Sequence, residues 1–115
     1  MSRRLVVQID TSKITDDDSF HTYFADLLGF PDFYGRNSNA WIDCVGDLDD
    51  PASGMTKVHV AKGGIVLFSI MNTRDFRERC PGLLSKILDM TSFLNGRDGV
   101  DALVERTVFA IATDD

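Results

Sequence analysis

The feature that most constrains the fold is a set of three short apolar runs, kept far apart by stretches with helical periodicity. The runs cover residues 5–9, 65–71 and 106–112 and are rich in β-branched side chains, which is typical of buried strands. Strands that alternate with helices favour a parallel sheet with right-handed crossovers. The sequence therefore predicts one α/β domain over residues 1–115, with a three-stranded parallel sheet and helices packed against it.

The first helix is predicted from a single apolar stripe. Its apolar side chains recur at helical spacing and are Phe20, Tyr23, Phe24, Leu27 and Leu28. Aspartates 16–18 lie at its amino end, where negative charge meets the positive end of the helix dipole, so we interpret them as helix caps. Gly29 is placed to end the helix.

Further along the chain, helical patterns cover residues 73–79 and 81–94. Between the second helix and the strand at 65–71, residues 54–64 are expected to form a solvent-facing insertion. Within it, residues 57–61 are predicted as an extra hairpin strand that pairs with the strand at 65–71. The two cysteines lack metal-ligand spacing and are expected to be free thiols in apolar surroundings.

The second helix, predicted over residues 38–49, separates two kinds of side chain. At 100° per residue, its core side carries Trp41, Cys44, Val45 and Leu48. Its opposite side, the acidic face, carries Asn39, Asp43, Asp47 and Asp50, flanked by Ile42 and Gly46. The loop just before it carries Phe33, Tyr34, Gly35 and Arg36, with Gly35 as the residue available for a positive φ.

Charge is concentrated in the same part of the chain. The protein has a net charge of -6 and a pI of about 4.7, which argues against direct binding to nucleic acid or an anionic membrane. Residues 16–50 contain nine aspartates against one cation, Arg36, so they sum to -8 and the remaining residues sum to +2. A basic partner is expected to meet this third of the chain, although an acidic surface also serves solubility alone.

The segment 30–45 reads F-P-D-F-Y-G-R-N-S-N-A-W-I-D-C-V and resembles, without a gap, the signature of the barstar family. The matching positions are Pro31, Asp32, Tyr34, Gly35, Asn37, Ala40, Asp43 and Cys44. Asn39 stands where that signature is usually acidic. Phe33 replaces a tyrosine, and Ile42 replaces a tryptophan.

The resemblance implies a barstar-like fold and an intracellular inhibitor, not an enzyme. In that family the loop and second helix plug the active site of a ribonuclease, with carboxylates in place of substrate phosphates. Asp43 would then meet the enzyme's phosphate-binding groups. The other implied contacts are Phe33, Tyr34, Gly35, Arg36, Asn37, Asn39, Ala40, Ile42, Gly46 and Asp47. The implied partner is a basic ribonuclease or nuclease toxin, and the chain is expected to be cytoplasmic and monomeric when free.

Alternative functions have less support in the sequence. His21 and His59 have no nucleophile beside them and are expected on the solvated surface. The aspartates at 47, 49 and 50 lack the glycine and the closing glutamate of an EF-hand, so neither a metal nor a cofactor is expected. A non-inhibitory module that binds a basic protein through the same acidic face remains the alternative. Asn37 is as well explained by helix capping as by partner contact.

Overall fold

The computed structural model describes residues 1–96 and 106–114. Its helices and strands are, in chain order, β1 (Arg4–Asp10), α1 (Asp17–Leu28), α2 (Ser38–Gly46), β2 (Ile65–Met71), α3 (Thr73–Arg79), α4 (Pro81–Gly96) and β3 (Val108–Thr113). Within these ranges three strands form one parallel sheet in the order β1-β2-β3, which confirms the predicted fold class. None of the helices described is long and apolar enough to cross a membrane.

Trp41 of α2 lies at the centre of the hydrophobic core. Its ring is fully buried and contacts Phe24 of α1 and Phe68 of β2, with centroid separations of 5.6 Å and 6.1 Å. Burying an aromatic side chain of this size stabilises the fold by roughly 1.5–3 kcal/mol. Trp41 therefore fixes α2 against both α1 and the sheet, and the core side predicted for this helix is confirmed.

Helix α1 begins and ends as the sequence predicted. Asp16 is its N-cap: the side chain accepts a hydrogen bond from Ser19 N at 2.8 Å, and Ser19 Oγ accepts one from Asp16 N at 3.0 Å. Gly29 ends the helix with φ 70°, a left-handed conformation that glycine adopts at little cost. At that end Gly29 N and Phe30 N both donate to Ala25 O, at 2.9 Å and 3.0 Å, and so fix the chain where it enters the next loop.

Helix α2 is shorter than predicted. It ends at Gly46, with Asp47 as its C-cap, and not at residue 49. The N–H groups of Asp47 and Leu48 bond to carbonyls three residues back, Cys44 O and Val45 O, and this tighter turn ends the helix. Asp47 and Asp50 therefore lie beyond the helix and do not continue the helical spacing of the acidic face.

The hairpin strand predicted over residues 57–61 was wrong, and so was the solvent-facing insertion. The backbone N–H groups of this segment have partners outside the sheet: Lys57 N donates to Leu28 O at 2.9 Å, and Val60 N to Leu48 O at 3.0 Å. Thr56 and Val60 are buried. The segment therefore packs across the ends of α1 and α2 instead of pairing with β2.

Candidate partner-binding site

The loop between α1 and α2 is held by aromatic contacts. Phe30 is buried and packs against Tyr34 with the two rings tilted and their centroids 4.7 Å apart. The Tyr34 hydroxyl lies 2.6 Å from His21 Nδ1 in α1. Because Tyr34 faces inward, its neighbour Phe33 faces solvent and is 76% exposed. The loop therefore offers one large apolar side chain to a partner, backed by a fixed tyrosine.

His21 is not on the surface, as the sequence led us to expect, but is 1% exposed. Burial lowers the pKa of His21, while the Asp17 carboxylate, 3.6 Å from Nε2, opposes that shift. Burial also raises the pKa of Tyr34. His59 is half-buried, so it too was misplaced. The apolar stripe of α1 continues through His21, which is why a polar residue occupies a core position.

Arg36 ties the loop to α1. Its guanidinium donates to Asp18 Oδ1 at 2.7 Å, to Asp18 O at 2.8 Å and to Thr22 Oγ1 at 3.1 Å. Arg36 also takes the left-handed conformation, at φ 54°, which the sequence had assigned to Gly35. These charge-assisted hydrogen bonds offset the cost of that conformation. Of the residues predicted to contact a partner, Arg36 is thus already engaged within the chain.

Gly35 and Asn37 shape the start of α2. A Cβ at Gly35 would lie 3.3 Å from Ala40 Cβ, so the glycine permits close packing of the loop on the helix. Asn37 is the N-cap, with its Oδ1 accepting from Ala40 N at 2.8 Å. Of the two roles that the sequence left open for Asn37, the structure shows the cap.

Asp43 lies in the middle of α2 on its exposed side. Within the described ranges no side chain forms an ion pair or hydrogen bond with its carboxylate. Asn39 is exposed one turn earlier, and Ile42 is half-buried beside it. Gly46, expected to flank this face, is buried instead, because α2 ends there between the core residues Val45 and Leu48.

The aspartates beyond the helix are placed differently. Asp47 is half-buried at the C-cap, and Asp49 accepts a hydrogen bond from Thr107 Oγ1 at 2.6 Å. Asp50 is exposed but follows the turn that ends α2. Asp43 is therefore the carboxylate that the helix itself presents to solvent.

A small cavity of about 140 Å³ opens beside Asp43. It is lined by Phe33, Tyr34, Gly35, Ala40, Asp43, Cys44 and Met55. Five of these were predicted contacts, and Cys44 was predicted on the core side of α2. Met55 was not predicted here, because its segment was taken for a solvent-facing insertion. Burial, then Asp43 and Asp47, raise the pKa of the Cys44 thiol to about 11, so it stays protonated at neutral pH. The cavity has apolar walls and a carboxylate on its lining.

These features define a class of small α/β domain that presents a hydrogen-bonded loop and a helix with an exposed carboxylate. The family model of Barstar (barnase inhibitor) matches residues 4–92, from β1 into α4, and the chain belongs to this family. Family members are inhibitors and not enzymes. A comparison with curated proteins finds no match.

Proposed function

We propose that this protein inhibits a basic ribonuclease or nuclease toxin by covering its active site with the loop at residues 30–37 and helix α2. The observation that carries the proposal is Asp43: an exposed mid-helix carboxylate without an ion-pair partner among the described residues. A nuclease active site binds phosphate anions through cationic groups. A carboxylate held on a rigid helix can occupy the position of such a phosphate.

The surroundings of Asp43 support this role. Arg36, the one cation among residues 16–50, is paired with Asp18 and therefore does not neutralise Asp43. The remaining negative charge attracts a basic partner over distance and accelerates association, to about 10⁸–10⁹ M⁻¹s⁻¹ at low salt in steered complexes. Phe33 and the cavity beside Asp43 then supply apolar contact, which slows dissociation.

We place the protein in the bacterial cytoplasm as the immunity member of a toxin–antitoxin pair. An intracellular inhibitor protects cellular RNA from a nuclease made in the same cell. The family to which the chain belongs supports this assignment. In this proposal the chain itself binds no nucleic acid, because its acidic third would be repelled by phosphates.

The test is RNA cleavage by a barnase-like ribonuclease, titrated with the wild type, Asp43→Ala and Asp89→Ala. Asp89 is a matched control because it is also an exposed aspartate within a helix, α4. Asp114 would be a poor control, since its carboxylate accepts hydrogen bonds from Asn72 N and Thr73 N and so stabilises the fold. We expect wild type and Asp89→Ala to inhibit alike.

For Asp43→Ala we expect affinity to fall by at least about 30-fold, the threshold of about 2 kcal/mol for an interface hot spot. Equal inhibition by Asp43→Ala and Asp89→Ala would remove Asp43 from the site. Undiminished RNA cleavage against several such enzymes, at saturating wild-type protein, would instead favour a non-inhibitory interaction module.

A further inference from the structure

On the second face of the sheet, the apolar side chains of the described residues are not buried. Side chains alternate across a strand, and one set of alternate residues, such as Val7, Phe68 and Phe109, is buried beneath the helices. The opposite set forms what we call the open sheet face. Its apolar members are Val6, Ile65, Leu67, Met71, Val108, Ala110 and Ala112, and none of these is buried. Gln8 and Ser69 lie in the same row as Ala112 and separate Met71 from the other apolar residues.

Three of these side chains are strongly exposed: Val6 by 50%, Ile65 by 44% and Val108 by 49%. The register places Ile65 and Val108 in one row across the sheet, with Leu67 beside Val6 in the next. All-parallel sheets occur almost always with both faces covered. The apolar side chains of these two rows are contiguous, and a contiguous exposed apolar area indicates a contact surface.

Addition of a further strand at a sheet edge does not explain this surface. At the β1 edge, the Ser2 hydroxyl bonds to both backbone groups of Arg4, and the Tyr23 hydroxyl accepts from Asp10 N at 2.8 Å. At the β3 edge, the Asn95 side chain bonds to the N–H and the C=O of Phe109 at 2.9 Å and 2.8 Å. Side chains thus occupy edge hydrogen-bonding groups that an added strand would need.

The charges on the open sheet face favour a second copy of the chain as the partner that binds there. Arg4 lies at one end of β1 and Asp10 at the other, on the same side of the strand, whereas Ile65 and Val108 in the row of Arg4, and Met71 in the row of Asp10, carry no charge. Asp114, which follows β3, is held by hydrogen bonds from Asn72 N and Thr73 N. If two copies stack face to face about a two-fold axis that runs across the strands, β1 lies antiparallel over β1. Arg4 of each copy then meets Asp10 of the other.

The Asp10 carboxylate is suited to this contact. Hydrogen bonds from Ser12 hold its Oδ1, and they lower its pKa, so it is charged at neutral pH. A two-fold axis along the strands would instead place β1 over β3 and leave Arg4 opposite neutral residues. The charge pattern therefore distinguishes one packing from the other.

We propose that the protein self-associates through the open sheet face, as a two-fold dimer in which Arg4 and Asp10 pair between copies. The strands are 7 residues long or shorter. At about 3.3 Å per residue and about 4.8 Å between strands, the face covers roughly 300 Å² in projection. This is below the roughly 800 Å² per partner of a stable interface. The dimer is therefore weak, and it replaces the expected monomer only at high concentration.

The first experiment is sedimentation velocity of the full chain from about 10 µM to about 1 mM. We expect concentration-dependent dimerisation. Val6→Lys should raise the dissociation constant of the dimer at least about tenfold, because an unpaired ammonium group would be buried in the interface. Phe93→Lys is the matched control: Phe93 is 56% exposed on α4, away from the sheet. It should alter dimerisation less than about twofold.

The second experiment tests the packing. Arg4→Glu and Asp10→Lys should each weaken self-association, since each places like charges opposite one another. An equimolar mixture of the two variants should associate more tightly than either alone, because both cross-copy pairs are again opposite in sign. Circular dichroism melting reports whether each variant is folded.

Two results would overturn the proposal. One is a monomer at about 1 mM for the wild type, and the other is dimerisation that Val6→Lys and Phe93→Lys alter equally. A mixture that associates no better than its separate components would exclude the two-fold packing. Because these measurements contain no nuclease, their outcome is independent of the proposed inhibition.

Discussion

The loop–helix surface, consisting of Phe33, Asn39, Asp43 and the cavity beside them, differs in kind from the open sheet face. The first carries a helix carboxylate that has no ion-pair partner among the described residues, and hydrogen bonds made by Tyr34, Arg36 and Asn37 fix its geometry. The second is a mainly apolar sheet face with Gln8 and Ser69 in one row and charge at the two ends of β1. Charge on the first suits rapid encounter with a basic partner, whereas the second suits weak contact between like molecules. The two surfaces lie on opposite sides of the sheet and should act independently.

The largest expected effects come from one substitution in each surface, and they test whether the two surfaces act independently. Asp43→Ala should reduce nuclease affinity at least about 30-fold and leave self-association within about twofold. Val6→Lys should do the reverse, reducing self-association at least about tenfold while inhibition is unchanged. Inhibition assays and sedimentation on the same preparations measure both quantities. If either variant changed both, the two surfaces would be coupled.

Asn37→Ala should affect the loop–helix surface alone. Loss of the N-cap hydrogen bond to Ala40 N should lower the free energy of unfolding by about 1 kcal/mol. Chemical denaturation measures this loss. Asn39→Ala is the control, because Asn39 is exposed on the same helix and does not cap it, and it should change stability by less than about 0.5 kcal/mol.

A smaller effect is expected from pH, through His21. Burial lowers the pKa of His21 in the folded chain from its ordinary 6.5. As the pH falls below 6.5, the unfolded chain therefore takes up a proton that the folded chain does not, and stability declines until the folded pKa is reached. Thermal melting across this window should show a shallower decline for His21→Gln. An identical decline would assign it to other groups.

The smallest effect is expected from restoring an acid at position 39. The first turn of α2 contains no acidic residue. Asn39→Asp should gain about 0.3–1 kcal/mol from the helix dipole and lose about 0.2–0.5 kcal/mol by repulsion from Asp43. Its clearer result should be faster association with a basic nuclease at low salt, measured by stopped flow. Ser85→Asp adds the same charge on α4 and should accelerate association less.

Regular patterns in the sequence were sufficient to predict most of the elements. The apolar run at β2 and the stripe on α1 each have the period of the element they form, and the caps at Asp16 and Gly29 are local interactions. The core side of α2 and the exposure of Asp43 follow from the same helical period. Interactions between residues close in sequence determine these helices, strands and caps, so the sequence is sufficient to predict them.

Predictions failed where distant segments compete for the same backbone or core position. The hairpin at residues 57–61 is absent because Lys57 and Val60 bond to the ends of two helices. Met55 consequently lines the cavity beside Asp43, and no pattern around it predicted that role. His21 lies on the apolar stripe of α1, and its burial was missed because its hydrogen-bond partner, Tyr34, is thirteen residues away in the chain.

The sequence by itself determined the parallel α/β fold, the family signature around Asp43 and the uneven distribution of charge. Periodicity and capping depend on residues that are close together in the chain, and composition depends on the chain alone. All three can be read without knowing which segments pack together. Only the tertiary structure decided that Arg36 is paired with Asp18, that Met55 joins the cavity and that the described apolar side chains on one sheet face are not buried. These outcomes depend on contacts between residues far apart in the chain, whose geometry is set by the packing of the whole core.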